Sequence, residues 1–503
     1  MATRRGRLEV SRALEGWCGG MFARGPLRMA AVAFLCLLVP LLGLRADPEP
    51  YGPLPPAVQE ILARARVPAD TLGVLVQDVA SDEPLLEFNA DAAFNPASTI
   101  KLLPTLVALD TLGPAYTWRT AAYASGPVRE ERLHGDLIIK GYGDPYLVIE
   151  RFWRFVRGIR AAGVKHVSGD VVVDRSHFEV QTPDRAAFDG QPYRAYNAVP
   201  DALLLNYHAI RFDFIPDPGS GRVRIVPEPE PANLVVINRL RLTDGRCTGR
   251  TYRIRMQVAD ESNGGVVRFS GSYPAACGRH HLTRTIVPGT MFVLGVFETL
   301  WREMGGTIDG GLREGVAPKD GTLLYAMPSR PLADIIRGIN KYSNNVMTRQ
   351  LVYTLGAERY GSPGTLRKGL EAIEYWLRLR GLDFPQLVLD NGAGLSRGTR
   401  ISPRSLARLL RVAYHHPYMP EFVSSLPLSG VDGTMRDRFT DGPLTGRVHL
   451  KTGRIDNVKA MAGYVKSRSG RIYALVALLN HPGIHWGRAE RVQDALLRWV
   501  FER

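Results

Sequence analysis

The sequence has 503 residues, of which 45% are hydrophobic and 22% are charged. These proportions indicate a globular chain of about two to four domains and exclude a disordered or fibrous protein. Only one apolar run, near the N-terminus, could touch a membrane, which excludes a protein that crosses the membrane several times. The formal net charge is +15. The basic residues are scattered and form no stripe interleaved with aromatic side chains, so they favour an anionic polymer over nucleic acid as a partner.

The N-terminal region is typical of an export signal. Residues 30–44 form an apolar run that is short for a membrane span of about 20 residues and suits a secretory signal. Arg24 and Arg28 precede this run, and Ala46 follows it at a plausible cleavage point. An uncleaved anchor and a core helix are the alternatives. We therefore predict a signal peptide at residues 1–46, a periplasmic location, and peripheral or no contact with the membrane after export.

The cysteines agree with export. Cys18 and Cys36 lie in the predicted signal peptide, which leaves Cys247 and Cys277 as an even pair. In an oxidising compartment such a pair predicts a disulfide, and two buried free thiols are the alternative. The pair has no histidines nearby at ligand spacing, so we expect no metal site. We expect no cofactor either.

The order of the predicted elements indicates one domain that is interrupted by a long insertion. The N-terminal elements are a helix, two strands and a second helix, at residues 56–66, 72–78, 84–88 and 99–112. Pro104 should either kink the second helix or mark a shifted first turn. Short β-rich runs then recur from residue 117 to residue 284, with a helix among them at 147–162.

Helices dominate the C-terminal part of the chain, and strands return near its end. Five helices, three strands and a last helix are predicted at residues 291–304, 331–340, 345–356, 366–379, 403–414, 449–452, 461–467, 472–479 and 486–501. The strands near the two ends of the chain can share one sheet that is covered by helices. We therefore predict that residues 47–116 and 316–503 form one domain and that residues 117–315 are an inserted β-rich region.

The first reactive pair, Ser98 and Lys101, lies at a predicted helix start. Residues three apart share one face of a helix, so the serine hydroxyl and the lysine amine can meet. A lysine can take the proton of a serine nucleophile if burial or a nearby cation disfavours its ammonium form. Amide groups at the helix start can stabilise an oxyanion. Alone, the pattern S-x-x-K is weak, and an ordinary N-capping serine is the alternative.

Two further patterns lie later in the chain. Ser343 and Asn345 form S-x-N in a turn, where the serine can relay a proton and the asparagine can hold a substrate amide. Lys451, Thr452 and Gly453 form K-T-G on a strand. An edge strand can pair with an extended substrate, its lysine can hold a carboxylate, and its glycine leaves room for a close approach of the backbone. Alone, each pattern is also typical of a plain loop or turn.

The three patterns together are far more specific than any one of them. Their order, S-x-x-K, S-x-N and K-T-G, is typical of β-lactamases and penicillin-binding proteins. The sequence resembles in particular the class C low-molecular-mass penicillin-binding proteins, which are D-alanyl-D-alanine carboxypeptidases and endopeptidases. The long interval between Ser98 and Ser343 leaves room for the large insertion of that family. Three further segments resemble the family: GYGDP at 141–145, DNGAGLS at 390–396 and GVDGT at 430–434.

The resemblance implies a fold and an activity. The fold would be α+β, a β-lactamase/transpeptidase-like domain whose antiparallel sheet is flanked by helices, with a large β-rich inserted region. The activity would be cleavage of the D-Ala-D-Ala bond of peptidoglycan stem peptides through an acyl-enzyme at Ser98, with β-lactam antibiotics as inhibitors. The alternatives are a β-lactamase or esterase of the same fold and a non-catalytic protein that binds the cell wall.

The resemblance also implies how the attacking and leaving groups are handled. Lys101 would accept the proton of Ser98. Ser343 would pass a proton to the leaving amine, with Lys451 nearby. Asn345 would hold the side of the peptide.

The K-T-G strand would bind the end of the substrate. Lys451 and Thr452 would hold the terminal carboxylate, with Gly453 beside them. The backbone N–H groups of Ser98 and Arg454 would form the oxyanion hole. Arg454 departs from the family, which has Thr or Ser after K-T-G. Its side chain either turns out to solvent, which we favour, or binds a second acidic group on the stem peptide.

Overall fold

The structure, a computed structural model, describes residues 53–180, 184–247, 253–260 and 264–503. The predicted signal peptide lies outside these residues. Within them, ten α-helices, labelled α1 to α10 in chain order, span Pro56–Ala65, Leu102–Leu112, Ile149–Ala161, Gly289–Glu303, Leu332–Tyr342, Asn345–Tyr360, Leu366–Leu379, Pro403–Tyr414, Met419–Ser425 and Arg488–Phe501. No helix of this part of the chain combines the length and the hydropathy that a membrane crossing requires.

The strands of the same residues are labelled β1 to β20. They span Leu72–Asp78, Pro84–Phe88, Arg119–Ala124, Val128–Arg129, Arg132–Leu133, Leu137–Gly141, His166–Val167, Val171–Asp174, Ile210–Asp217, Arg222–Glu228, Leu234–Thr243, Arg253–Asp260, Gly265–Pro274, His280–Arg284, Thr307–Ile308, Leu312–Glu314, Thr322–Pro328, Val448–Ile455, Val458–Lys466 and Ile472–Asn480.

One antiparallel sheet joins strands from the two ends of the described chain. Its strand order is β18-β19-β20-β1-β2, and β1 pairs with β20 from Leu72 opposite Leu479 to Asp78 opposite Tyr473. β1, β19 and β20 are buried almost throughout. Because neighbouring residues of a strand point to opposite faces, this burial means that the sheet is covered on both sides. β18 forms one margin of the sheet.

Helices provide this cover. Ala474 and Val476 of β20 belong to a core that also contains the apolar side chains of α2, α5, α6, α7 and α8. α10 packs against β19 and β20, and α1 packs against α10. The sheet is thus held between helices, and its margin at β18 is positioned next to the start of α2.

The segment that carries Ser98 begins with a short 3₁₀-helix, Ala97–Lys101, and continues as α2. Pro104 is the third residue of α2, where its missing N–H costs no intrahelical hydrogen bond. The second of the two predictions for Pro104, a shifted first turn, is therefore confirmed. All residues from Leu102 to Leu109 are buried, so the helix behind Ser98 is anchored in the core.

The inserted region has sheets and a core of its own. Two smaller sheets have the orders β10-β9-β14 and β11-β13-β12, and two larger ones have the orders β15-β7-β5-β4 and β16-β8-β6-β3-β17. Its core includes Phe152 of α3 and Phe292 of α4, which are both fully buried. Cys247 and Cys277 are joined by a disulfide. β17 follows residue 315 in the chain and pairs with β3. The domain boundaries at residues 116 and 315 stay predictions.

Candidate active site

The margin of the central sheet lies against the turn that carries Ser98. A Cβ atom added to Gly453 of β18 would stand 2.7 Å from the carbonyl oxygen of Pro96 and 3.0 Å from the backbone nitrogen of Ser98. Only glycine allows this approach. Asn95 fixes the turn from the other side, since its side-chain amide donates to the carbonyl oxygen of Ser396 at 2.9 Å. The first and third sequence patterns therefore meet at one place.

Lys101 is fully buried and makes three short contacts. Its Nζ lies 2.9 Å from Ser98 Oγ and 2.6 Å from Asn345 Oδ1, and it also contacts the carbonyl oxygen of Ala393. The last two oxygens can only accept hydrogen bonds, so a neutral Lys101 amine donates its two N–H bonds to them. Its lone pair then faces the Ser98 hydroxyl, which is the orientation that a proton acceptor needs.

The S-x-N pattern lies at a sharp turn between α5 and α6. Ser343 ends α5 in the left-handed conformation, with φ of +57°. Asn344 caps α6 by accepting the N–H of Met347, and Asn345 is the first residue of that helix. A left-handed φ is costly for a residue with a side chain, and such strain is often found at functional sites. The reversal of the chain directs Ser343 and Asn345 to the two buried lysines.

Lys451 is the second fully buried amine of this group of side chains, which we call the cleft. Its Nζ donates to Ser343 Oγ at 2.9 Å and to the carbonyl oxygen of Thr452 at 2.7 Å. Burial lowers the pKa of Lys451 to about 7. Its neighbours in the described chain are thus a hydroxyl and a carbonyl oxygen, which leaves the amine available for an anionic group of a ligand.

The electrostatics of the cleft favour a neutral Lys101. Burial lowers the pKa of Lys101 well below its ordinary value, and the cations of Lys451 and Arg349 lower it further. Both conditions that the sequence analysis named for a lysine base, burial and a nearby cation, are therefore present. A lysine with a lowered pKa and its lone pair directed at a serine hydroxyl can act as a general base near neutral pH.

The loop at residues 390–396 supplies one of the Lys101 partners. Ala393 lies in the segment 390–396, and its N–H donates to Asn391 Oδ1 at 2.9 Å. Gly394 has a φ of +73°, and a Cβ atom there would stand 1.9 Å from the carbonyl oxygen of Ala97. The loop therefore rests directly on the Ser98 turn. Sequence patterns did not indicate the role of the Ala393 carbonyl because every residue type carries one.

The segment 430–434 supports the other side of the cleft. Thr434 Oγ1 lies 2.7 Å from Thr452 Oγ1. Asp432 forms an ion pair with Lys341, whose Nζ lies 2.5 Å from Asp432 Oδ2 and 2.9 Å from the carbonyl oxygen of Leu426. Lys341 lies two residues before the serine of the S-x-N pattern, so this pair ties the segment to α5. Sequence reasoning missed both contacts, although the GVDGT motif could have directed attention to them.

Arg454 lies two residues after Thr452 on β18, so the two side chains share one face of the strand. Its side chain is exposed, and its charge acts on Glu490 of α10. The Cys247–Cys277 disulfide belongs to the inserted region. The part of the chain that the structure describes contains no cluster of His, Cys, Asp and Glu residues able to hold a metal ion.

Comparisons with known proteins identify the family. The sequence profile of the D-Ala-D-Ala carboxypeptidase 3 (S13) family matches residues 54–501, which is almost all of the described chain. The chain belongs to this family. A D-alanyl-D-alanine carboxypeptidase of Actinomadura sp. (strain R39) is 30% identical to this S13 protein over 483 residues, covering 92% of this chain and 88% of the relative.

Relatives of lower sequence identity are similar over most of the chain. The D-alanyl-D-alanine carboxypeptidase DacB of Haemophilus influenzae is 21% identical over 411 residues, covering 81% of this chain and 85% of that protein. A crystal structure of penicillin binding protein 4 (dacB) from Haemophilus influenzae is similar with a TM-score of 0.75 at 22% identity, covering 89% of this chain and 99% of that chain. The same bacterium's protein complexed with a β-lactam gives a TM-score of 0.72 at 21% identity and the same coverage.

These findings confirm the main sequence predictions. The fold is the predicted α+β, β-lactamase/transpeptidase-like domain with a β-rich inserted region. The resemblance to class C low-molecular-mass penicillin-binding proteins is confirmed, and so is the activity of a serine-type D-Ala-D-Ala carboxypeptidase. Membership of the S13 family selects this activity over the β-lactamase, esterase and wall-binding alternatives.

Proposed function

We propose that Ser98 is the nucleophile of this carboxypeptidase and that Lys101 is its general base. The observation that carries the proposal is the arrangement around the Lys101 amine, whose lone pair is left for Ser98 when Asn345 and Ala393 accept its two N–H bonds. General-base catalysis of this kind contributes about 10²- to 10⁴-fold to a rate.

The acylation step follows from this arrangement. Ser98 Oγ forms a bond to the carbonyl carbon of the penultimate D-Ala, and Lys101 takes the hydroxyl proton. The bond from that carbon to the nitrogen of the terminal D-Ala then breaks. The leaving nitrogen takes up the proton through Ser343, which lies 2.9 Å from the Lys451 amine. Water later attacks the ester and gives a proton to Lys101, which passes it to Ser98 Oγ as the ester bond breaks. The shortened peptide is released, and both Ser98 and the neutral Lys101 are restored.

The K-T-G strand binds the carboxylate of the terminal D-Ala in this proposal. Lys451 supplies the charge and Thr452 supplies a hydroxyl, with Thr434 as an added partner at 2.7 Å. The oxyanion hole consists of the backbone N–H groups of Ser98 and Arg454. The close approach of Gly453 to the Ser98 nitrogen, which would leave only 3.0 Å for a Cβ atom, supports this pairing of β18 with the Ser98 turn.

The substrate in this proposal is the stem peptide of peptidoglycan, and the enzyme acts in the periplasm. The apolar run at residues 30–44, which follows Arg24 and Arg28, supports export. The excess of basic residues suits an anionic cell-wall polymer. β-Lactams acylate Ser98 because their ring resembles the D-Ala-D-Ala end, and a related Haemophilus influenzae protein has been crystallised with a β-lactam.

Mass spectrometry after incubation with benzylpenicillin tests the nucleophile. We expect one adduct per chain, on the peptide that contains Ser98, and no adduct for Ser98→Ala. Lys101→Met should slow acylation by about 10²-fold or more. Ser424→Ala is the matched control, because Ser424 is an exposed serine whose hydroxyl donates to the carbonyl oxygen of Glu421 at 3.2 Å. An adduct on another peptide, or on Ser98→Ala, would refute the assignment.

Digestion of purified peptidoglycan tests the substrate. The mature enzyme should release D-alanine from pentapeptide stems, and Ser98→Ala should release none. Chromatography of the digested stem peptides also separates trimmed stems from cleaved cross-links. Release of D-alanine by wild type and Ser98→Ala at the same rate would contradict the proposal.

A further inference from the structure

The first turns of α6 are tied to the inserted region by two polar side chains. The guanidinium of Arg349 donates to the carbonyl oxygen of Tyr196 at 3.1 Å and to that of Ala198. The side chain of Gln350 accepts from the backbone nitrogen of Asp201 at 3.0 Å and donates to the carbonyl oxygen of the same residue. The inserted region therefore holds the helix that begins with the S-x-N asparagine.

Arg349 lies four residues after Asn345, so the two side chains share one face of α6. Arg349 borders a cavity of about 420 Å³ between the inserted region and the loop at 390–396. The other ionisable groups that face it are the phenol of Tyr353 on its own helix, and Asp184, Arg185, Asp390 and Arg397 across the cavity. The acidic and basic groups across the cavity are equal in number.

Arg349 lowers the stability of the folded state, so stability alone does not explain its presence. Burial lowers the pKa of Arg349 to about 10, so its side chain keeps its charge at neutral pH. Its Nε is buried without a hydrogen-bond partner, and no carboxylate of the described residues forms an ion pair with it. Arg349 is half-buried, and a half-buried cation without a counter-charge and with a buried, unmet Nε donor destabilises the folded state. Its presence beside Asn345 therefore points to the reaction.

We propose that Arg349 is a positioning residue for the acylation of Ser98. It anchors the first turns of α6 to the turn at residues 195–198 of the inserted region, and it holds a fixed positive charge one helical turn from the Asn345 that binds Lys101. The inference rests on the proposed function, because it concerns the rate at which Ser98 is acylated. It gives the inserted region a part in the reaction itself.

The effect of the Arg349 charge on the pKa of Lys101 also supports the proposal. The charges of Lys451 on β18 and Arg349 on α6 both lower the pKa of Lys101, after burial, which has the largest effect. Each cation makes it harder to protonate the base. Removing the Arg349 charge should therefore raise the pKa of Lys101, so that less of the neutral base is present at pH 7.

The test is the pH profile of the acylation rate constant, measured with a fluorescent penicillin on the mature enzyme. For Arg349→Gln, the ascending limb should move to higher pH by about 0.5 to 1 pH unit, and acylation at pH 7 should slow by about three- to tenfold. Arg349→Lys should keep the limb in place. It should still lower the plateau of the acylation rate about threefold, because the lysine side chain is shorter and does not bring its ammonium to the position of Nη2, the atom that bonds both carbonyl oxygens.

Arg359→Gln is the matched control on the same helix. Arg359 is exposed and stacks on Tyr375 at 4.1 Å, so this variant should keep both the limb and the plateau of the wild type. If the ascending limb of the pH profile of Arg349→Gln lies at the same pH as that of the wild type, the electrostatic part of the proposal is wrong. If the plateau rate of Arg349→Lys equals that of the wild type, the anchoring part is wrong. If Arg349→Gln does not fold, Arg349→Lys alone decides the anchoring. Failure of the proposed function is distinguishable, because the wild type itself would then carry no adduct on Ser98.

Discussion

The Lys451 amine is held by Ser343, with its Nζ 2.9 Å from Ser343 Oγ. A second amine–hydroxyl pair of the same length joins Lys101 to Ser98. In the proposed mechanism, one pair serves the attacking oxygen and the other serves the leaving nitrogen. Because both amines are buried, the charge on either makes protonation of the other less favourable, and the two titrate as a coupled system.

The coupling predicts the pH dependence of a Lys451→Ala variant. In the proposed mechanism Lys101 acts in its neutral form, so the acylation rate should rise with pH through the pKa of Lys101. Removing the Lys451 cation removes one of the causes that lower this pKa. The ascending limb of the pH profile of acylation should therefore move to higher pH, by about one pH unit. The measurement is the rate constant for acylation by a fluorescent penicillin from pH 5 to pH 10.

Thr452→Ala serves as the comparison for Lys451→Ala. Both variants lose a contact to the substrate carboxylate, but Thr452→Ala keeps the charge. It should lower the rate at every pH and leave the limb where it is. If the ascending limb of the pH profile does not move in Lys451→Ala, Lys451 does not lower the pKa of Lys101.

Arg454→Thr tests whether this arginine selects substrates. The side chain is exposed, it shares a face of β18 with Thr452, and its charge acts on Glu490. We expect the ratio of cleavage rates for D-Ala-D-Ala ends and for cross-linked stems to change by less than about twofold, the range of an ordinary surface substitution. Arg447→Thr, at another exposed arginine before β18, controls for the lost charge. A larger change confined to Arg454→Thr would instead indicate a bound acidic group.

Asp432→Asn should weaken both the fold and the reaction. Burial acts to raise the pKa of Asp432, but the hydrogen bond and charge of Lys341 outweigh it and hold the pKa below its ordinary value. The pair therefore stabilises the fold above about pH 4, and this contribution is lost as the pH falls further.

At neutral pH the variant leaves Lys341 buried without its counter-charge. The side chain of Asp432 is 29% exposed, so the loss should be about 2 kcal/mol, less than for a fully buried pair. Acylation should slow as well, since Thr434 loses its support next to Thr452. Thermal unfolding and acylation kinetics measure the two effects. Unchanged kinetics in a destabilised variant would leave Asp432 with a structural role only.

The disulfide should matter for stability and not for catalysis. Cys247 and Cys277 are 30 residues apart, and closing a loop of that size stabilises a fold by about 3 to 4 kcal/mol in the chain-entropy account. The double variant Cys247→Ser/Cys277→Ser should therefore have a lower melting temperature and the wild-type acylation rate. A reducing agent should lower the melting temperature of the wild type and leave that of the double variant unchanged. Equal melting temperatures for the two proteins would contradict the prediction.

Residues that cap helices predicted the bounds of several helices well. The helices predicted at 366–379 and 403–414 coincide with α7 and α8, because Thr365 and Ser402 cap them and Pro403 occupies a first-turn position. The helix predicted at 345–356 ends four residues later, at Tyr360. The helix ends there because Gly361 caps it with a φ of +82°. The spacing of apolar residues, on which the prediction is based, does not indicate the position of this cap.

The site was predictable only where its residues carry a pattern. Ser98 and Lys101 meet because three residues separate them on one helical turn, which a sequence displays directly. The Ala393 carbonyl and the Arg349 guanidinium act from other segments, and their positions depend on how a loop and the inserted region pack. A backbone oxygen has no sequence signature, and a single arginine among 64 basic residues does not stand out.

The pairing of β1 with β20 has a consequence for the order of assembly. A chain made from its N-terminus exposes β1 long before its partner exists, so the central sheet cannot close until the last strands have been synthesised. Much of the inserted region pairs strands that are nearer in sequence and can fold first. The site formed by Ser98 and Lys451 is therefore completed late, because it needs β18, β19 and β20 to have been synthesised.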